Sequence, residues 1–224
     1  MCGRFALDIP LSALANYFHV DDIVDFGPRF NIAPTQIVPA VLQDSDTGRR
    51  VLKMFGWGLV PSWAKDASIG SRLINARSET AAEKPAFRSA FRNRRCLIPT
   101  TGFYEWKRSG SAKQPYFIHL RDGGLFAFAG LWDRWKGEED RETRETCTIL
   151  TCQPNELMSS IHNRMPVILD PVDYSLWLDP GVTDKNALRP FLKPYPSERM
   201  VAYPVSTYVN KPGHDDPACI VPLE

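Results

Sequence analysis

The order of apolar and polar positions divides this chain into many short segments of alternating character. Between Leu11 and Phe18, the apolar residues Leu11, Leu14, Ala15 and Phe18 recur at helical spacing, which predicts an amphipathic helix. Residues 29–35 (Arg-Phe-Asn-Ile-Ala-Pro-Thr) read as an extended loop with a proline near its end. Residues 37–42 and 51–55 read as strands, and the turn-rich stretch 44–48 between them predicts a hairpin. Residues 74–80 lead into a helix running through Phe87 and Phe91, with Ser78 as its cap. Residues 96–99 and 102–106 read as strands around a tight corner at 100–102. Residues 115–120 and 125–132 are two more, and Arg121-Asp-Gly-Gly between them is a hairpin signal. Stretch 136–145 reads as a charged surface loop and 146–152 as a strand. Short helices are predicted over 154–161, 171–178 and 185–192, and a last strand over 200–205. Strands outnumber helices and are mostly of the antiparallel type. The expected fold is α+β, a mostly antiparallel, barrel-like sheet with peripheral helices. No repeat, low-complexity tract or linker interrupts it, so residues 1–224 are expected to form a single domain, with 210–224 as a surface tail.

Composition narrows the class without fixing the function. Hydrophobic residues make up 43% of the 224 positions and charged residues 24%, as in an ordinary globular protein. No apolar run approaches the roughly 20 residues of a membrane helix. Asp8 comes before any apolar stretch that could serve a signal peptide, so a cytoplasmic location is expected. Cys2, Cys96, Cys147, Cys152 and Cys219 form no C-x-x-C pair and have no histidine at zinc-ligand spacing. Neither a disulfide framework nor a metal site is expected, and Cys96, Cys147 and Cys152 lie in apolar runs suited to a core. Net charge is +1, yet between Arg72 and Arg95 seven basic residues face only Glu79 and Glu83. Such a run is either a solvated helix face or a phosphate-binding one.

Four features carry chemistry. Cys2 in second position would become a 1,2-aminothiol if Met1 were trimmed. The amine, with a pKa of about 7.7–8.0, and the thiol, at about 8.5, would each be partly unprotonated near neutrality. An amine condenses with an aldehyde to a Schiff base, and an adjacent thiol can close onto the imine carbon as a thiazolidine. The alternative is a cysteine that packs as a small hydrophobe. Gly3 permits close approach to a ligand, and Arg4 offers charge to an anion. Trp57 and Trp63 sit in a Gly- and Pro-rich loop, Trp57 leaning to the core. Trp63 is either a core residue or a platform for a base. Glu105 is flanked by Phe103, Tyr104 and Trp106. Simple alternation puts it in water; burial would raise its pKa and suit it to proton transfer. His162 follows a helix end and precedes Arg164 and Pro166, where an imidazole is either structural or a working group.

As a set, Met1-Cys2-Gly3-Arg4-Phe5, Asn31-Ile-Ala-Pro34, Trp57-Gly-Leu-Val-Pro-Ser-Trp63, Ile74-Asn-Ala-Arg-Ser-Glu-Thr80, Gly102-Phe-Tyr-Glu-Trp106 and His162-Asn-Arg-Met-Pro166 closely resemble the SOS response-associated peptidase (SRAP) family from residue 1 to about 205. The resemblance implies an abasic-site sensor in single-stranded DNA that crosslinks to the lesion through Cys2 and shields it. It implies self-removal of Met1 and a lyase-like activity, with no cofactor. Catalysis would rest on Cys2, Asn75, Glu105 and His162. Asn75 would hold the Cys2 amine or the crosslink, Glu105 would act as acid/base at the opened sugar, and His162 would assist ring opening and reversal. DNA would be held by Gly3, Arg4, Trp63, Arg77 and Arg164. A cytoplasmic monomer that joins the nucleoid on damage is expected, with replication-fork proteins as candidate partners. Two other readings compete: an N-terminal-cysteine amidohydrolase of the glutamine amidotransferase kind, and a noncatalytic single-strand binder.

Overall fold

A computed structural model describes residues 2–21, 26–110, 112–137 and 142–223. Met1 and the acidic stretch 138–141 lie outside the described residues. Among those described, thirteen strands follow one another: β1 (Phe5–Leu7), β2 (Arg29–Ile32), β3 (Ile37–Gln43), β4 (Arg50–Trp57), β5 (Asn75–Arg77), β6 (Arg95–Thr100), β7 (Gly102–Ser109), β8 (Ala112–Leu120), β9 (Phe126–Lys136), β10 (Thr143–Cys152), β11 (Met165–Pro166), β12 (Ile168–Leu169) and β13 (Met200–Pro204). The helices are short: α1 (Leu11–Phe18), α2 (Ser78–Ala81), α3 (Arg88–Asn93), α4 (Glu156–Ser159), α5 (Tyr174–Leu178) and α6 (Lys185–Leu188). None is long and apolar enough to cross a membrane.

The strands form two layers. Strands β10, β4, β3, β6 and β9 pair in that order, and β9 returns to β10, closing a five-stranded barrel. An odd ring cannot alternate direction all the way round, so one pairing must be parallel. It is β4–β10, where Thr146 faces Gly56 and Cys147 faces Trp57. The second layer is an antiparallel sheet in the order β13-β8-β7-β1-β2. Aromatic rings join the layers: Phe5 of β1 meets Trp57 at 5.2 Å and Phe128 at 5.9 Å, and Phe103 of β7 meets Phe128 at 5.8 Å. All four side chains are at most 1% exposed. Burying each contributes about 1.5–3 kcal/mol. The N-terminus is thereby anchored three residues after Cys2.

The helix over Leu11–Phe18 forms as predicted, and Leu14, Ala15 and Phe18 are buried. The hairpin of β3 and β4 also forms. Four local readings are corrected. Residues 29–32 are a strand, because β1 supplies a partner. The helix over 78–91 is two helices, since Pro85 between them has no N–H to donate. Ser78 is the first helical residue and does not cap; the cap position is Arg77, with no side-chain bond. Strands β8 and β9 turn back at 121–124 but never pair: β8 joins β7 and β13, while β9 joins β6, β10 and β12.

The segment from Asn210 is tied down against β2. Asp215 accepts from the backbone N–H of Phe30 (2.6 Å) and Asn31 (2.8 Å) and pairs with Arg29. Asn31, fully buried, donates to the His214 carbonyl at 2.6 Å, and within the segment Cys219 is buried.

Candidate functional site

Cys2 lies where the edge of β7 opens beyond its pairing with β1. The chain enters β1 alongside β7, with Tyr104 N–H donating to the Arg4 carbonyl at 2.9 Å. Cys2 is 0% exposed. Burial, and then the neighbouring Glu105 carboxylate, push its thiol far up, so the sulfur rests as a neutral thiol rather than the partly ionised group of a free peptide. Asn75 begins β5, which extends the barrel by pairing in parallel with β10. Its Nδ2 donates to the Cys2 carbonyl at 2.8 Å. Its Oδ1 is buried and accepts no hydrogen bond among the described residues.

Glu105 sits on β7 opposite Tyr116 and is 3% exposed. The alternation that would leave it in water fails: the side chain is buried, with His162 alongside. Burial raises its pKa, and His162 partly offsets the rise. His162 is placed by α4, where its N–H donates to the Met158 carbonyl at 2.8 Å, and by β11, which pairs with β10. Its Nε2 stands 4.0 Å from Glu105 Oε2. On the far side of the ring, Nδ1 is 3.0 Å from the Arg164 N–H and 3.2 Å from the Arg164 carbonyl. These contacts favour opposite tautomers. An amide N–H can only donate, and it is the closer, so Nδ1 accepts and Nε2 carries the proton towards Glu105.

The arginines divide. Arg164 is 8% exposed, and its guanidinium grips both Glu79 oxygens at 2.6 and 2.9 Å. That pairing holds the Glu79 carboxyl below its usual range. Arg4 donates to Asn31 Oδ1 (2.6 Å) and to the Val209 carbonyl (2.7 Å), and lies over the Trp106 ring at 5.8 Å. Arg77 is exposed. Gly3 is half-buried beside Cys2. Trp63 is 59% exposed while its Nε1 donates to the Pro85 carbonyl, and Trp57 is core. The Trp63 loop is fixed from below by Asp133, which accepts from Ser62 N–H at 3.1 Å, and by Trp135, which donates to the Ala64 carbonyl at 2.7 Å.

Glu105 and His162 open into a cleft of about 350 Å³, lined also by Trp106, Arg108, Lys113 and Asn210. A larger cavity of about 650 Å³, along Gly56–Gly58 and Arg134, is lined by neither Glu105 nor His162. Size does not choose the site here; the buried acid beside an imidazole does. Sequence reasoning did not assign roles to Asn31, Asn210, Arg108 or Lys113. Asn31 alone carried a signal, as part of the Asn31-Ile-Ala-Pro34 motif. Among the described residues, no cluster of side chains is suited to a metal.

The chain is similar along most of its length to named proteins and to solved structures. A protein described as abasic site processing protein YoqW from Bacillus subtilis (strain 168) is 43% identical over 224 residues, covering 98% of this chain and 99% of its own. Abasic site processing protein HMCES from Gallus gallus is 33% identical over 228 residues, covering 89% and 67%. The crystal structure of a Bacteroides thetaiotaomicron protein superposes with a TM-score of 0.91 at 28% identity over 100% of both chains. The profile of the SOS response associated peptidase (SRAP) family matches residues 1–212, and the chain belongs to that family.

Proposed function

We propose that this protein detects abasic sites in single-stranded DNA and captures them covalently through Cys2, shielding the lesion. The observation that supports the reading is the Asn75 bond to the Cys2 carbonyl together with a buried Glu105, whose charge acts on the Cys2 thiol, 4.0 Å from His162. The names of the YoqW and HMCES relatives support the choice of lesion.

The chemistry begins with loss of Met1, by self-cleavage or by an aminopeptidase, which frees the Cys2 amine. A closed abasic deoxyribose needs a proton removed from its 1-hydroxyl and one delivered to the ring oxygen before the aldehyde appears. Glu105 and His162 supply an acceptor and a donor. The amine adds to the aldehyde carbon and water leaves, giving an imine. The thiol then adds to the same carbon, its proton passing to the imine nitrogen, and a thiazolidine closes. A neutral, buried thiol suits this order, since the amine attacks first and the sulfur is already adjacent. Asn75 Oδ1, buried and without a hydrogen bond among the described residues, would accept from the freed amine. Lyase-like strand cleavage would follow from the same imine. The setting is the cytoplasm, on nucleoid DNA.

The test is incubation with abasic and intact oligonucleotides followed by denaturing mass spectrometry. A stable adduct with abasic DNA alone, lost in Cys2→Ala, is expected. Adducts that persist in Cys2→Ala, or none with wild type, overturn the reading.

A further inference from the structure

Arg108 and Lys113 stand directly opposite each other on the antiparallel β7–β8 pair. Side chains in such a pair share a face with Cβ atoms about 4.5–5.5 Å apart, and like charges there repel. Both residues are exposed, and neither has an acidic partner among the described residues. Other cations near the site are committed: Arg164 to Glu79, and Arg4 to Asn31 and the Val209 carbonyl. The two uncompensated charges line the cleft that Glu105 and His162 share. Trp106, between them and Glu105 on β7, is held in place by its Nε1 bond to Asn210 at 2.8 Å.

We infer that Arg108 and Lys113 form a phosphate clamp for the DNA strand next to the abasic sugar, beyond Arg4, Arg77 and Arg164, to which the family resemblance gives that role. This rests on the proposed function and assigns one side of the strand path. An adjacent like-charged pair is unfavourable alone and is relieved when a phosphodiester sits between the two cations. Arg77 on β5 is also exposed but does not line this cleft, so the clamp is assigned to the β7–β8 hairpin alone.

The experiment compares wild type with the double variant Arg108→Gln/Lys113→Gln and with a charge-matched control, Arg49→Gln/Lys193→Gln, on exposed positions outside the cleft. Binding to abasic single strands is measured between 50 and 200 mM salt. Two lost phosphate contacts lower the slope of log K against log salt by about 1.4, at roughly 0.7 per contact. The expected result is that slope change with about ten-fold weaker binding, while the control binds as wild type. A neutral methylphosphonate beside the lesion should weaken wild type but not the double variant further. An unchanged slope in the double variant, or an equal loss in the control, overturns the clamp and leaves the crosslinking reading standing. A wild type that forms no adduct overturns the crosslinking reading instead.

Discussion

The carboxamide of Asn75 donates to the Cys2 carbonyl at 2.8 Å, so a strand added to the barrel grips the residue that begins the antiparallel sheet's first chain segment. The two layers therefore meet at the backbone of Cys2. Asn75→Ala removes that grip while leaving the thiol and Glu105 in place. We expect adduct formation to slow by about 100-fold, the scale of a misplacement near 1 Å, with single-strand affinity within a factor of two or so. Single-turnover crosslinking beside a binding isotherm measures both. Equal losses in each would count against a positioning role.

Glu105 gives a stability signature with a defined sign. A carboxyl whose folded pKa lies above its unfolded value of about 4.3 holds its proton more firmly in the folded chain. That contribution is fully present in acid, below about pH 4.3, and is lost as pH rises through the folded value. Glu105→Gln cannot ionise. Its Tm should exceed that of wild type at pH 8, and the gap should close near pH 4. The same variant should crosslink more slowly than it loses affinity. A Tm difference that ignores pH would remove the burial argument.

The Cys2 thiol is buried and its pKa is raised. Alkylation of Cys2 by iodoacetamide at pH 8 should be slower in the folded chain than in the same chain unfolded in urea, since the thiolate is the reactive form. Peptide mapping by mass reports the rates. Equal rates would place the sulfur in solvent.

Asp215 ties the C-terminal segment to β2 through two backbone N–H groups and Arg29. Asp215→Ala leaves both N–H groups without their partner and should cost about 2–3 kcal/mol of stability. Residues 207–220 should also become sensitive to protease below the melting temperature. A protease-resistant variant with wild-type stability would show the clamp to be incidental.

Much of this site could be read from residue order alone. The α1 helix was legible because its apolar spacing is a local property, and so was the β3–β4 hairpin, whose strands are joined by the turn that pairs them. The β8–β9 turn was misread for the complementary reason. A Gly-Gly connector reports that the chain reverses, not which neighbour each strand finds, and here the two strands leave for different layers.

By itself the sequence determined which groups are present: a second-position thiol, one carboxylate in an aromatic run, one imidazole past a helix end, and the motifs that mark the family. Tertiary structure decided what each group is free to do. Solvent exposure and charge pairing depend on segments far apart in the chain, such as Glu79 reaching Arg164 and Asn31 reaching Arg4. No local pattern encodes those distances. Thus Glu105 became a buried acid, Arg164 and Arg4 gained internal partners, and Arg108 and Lys113 on a hairpin were left exposed along the cleft.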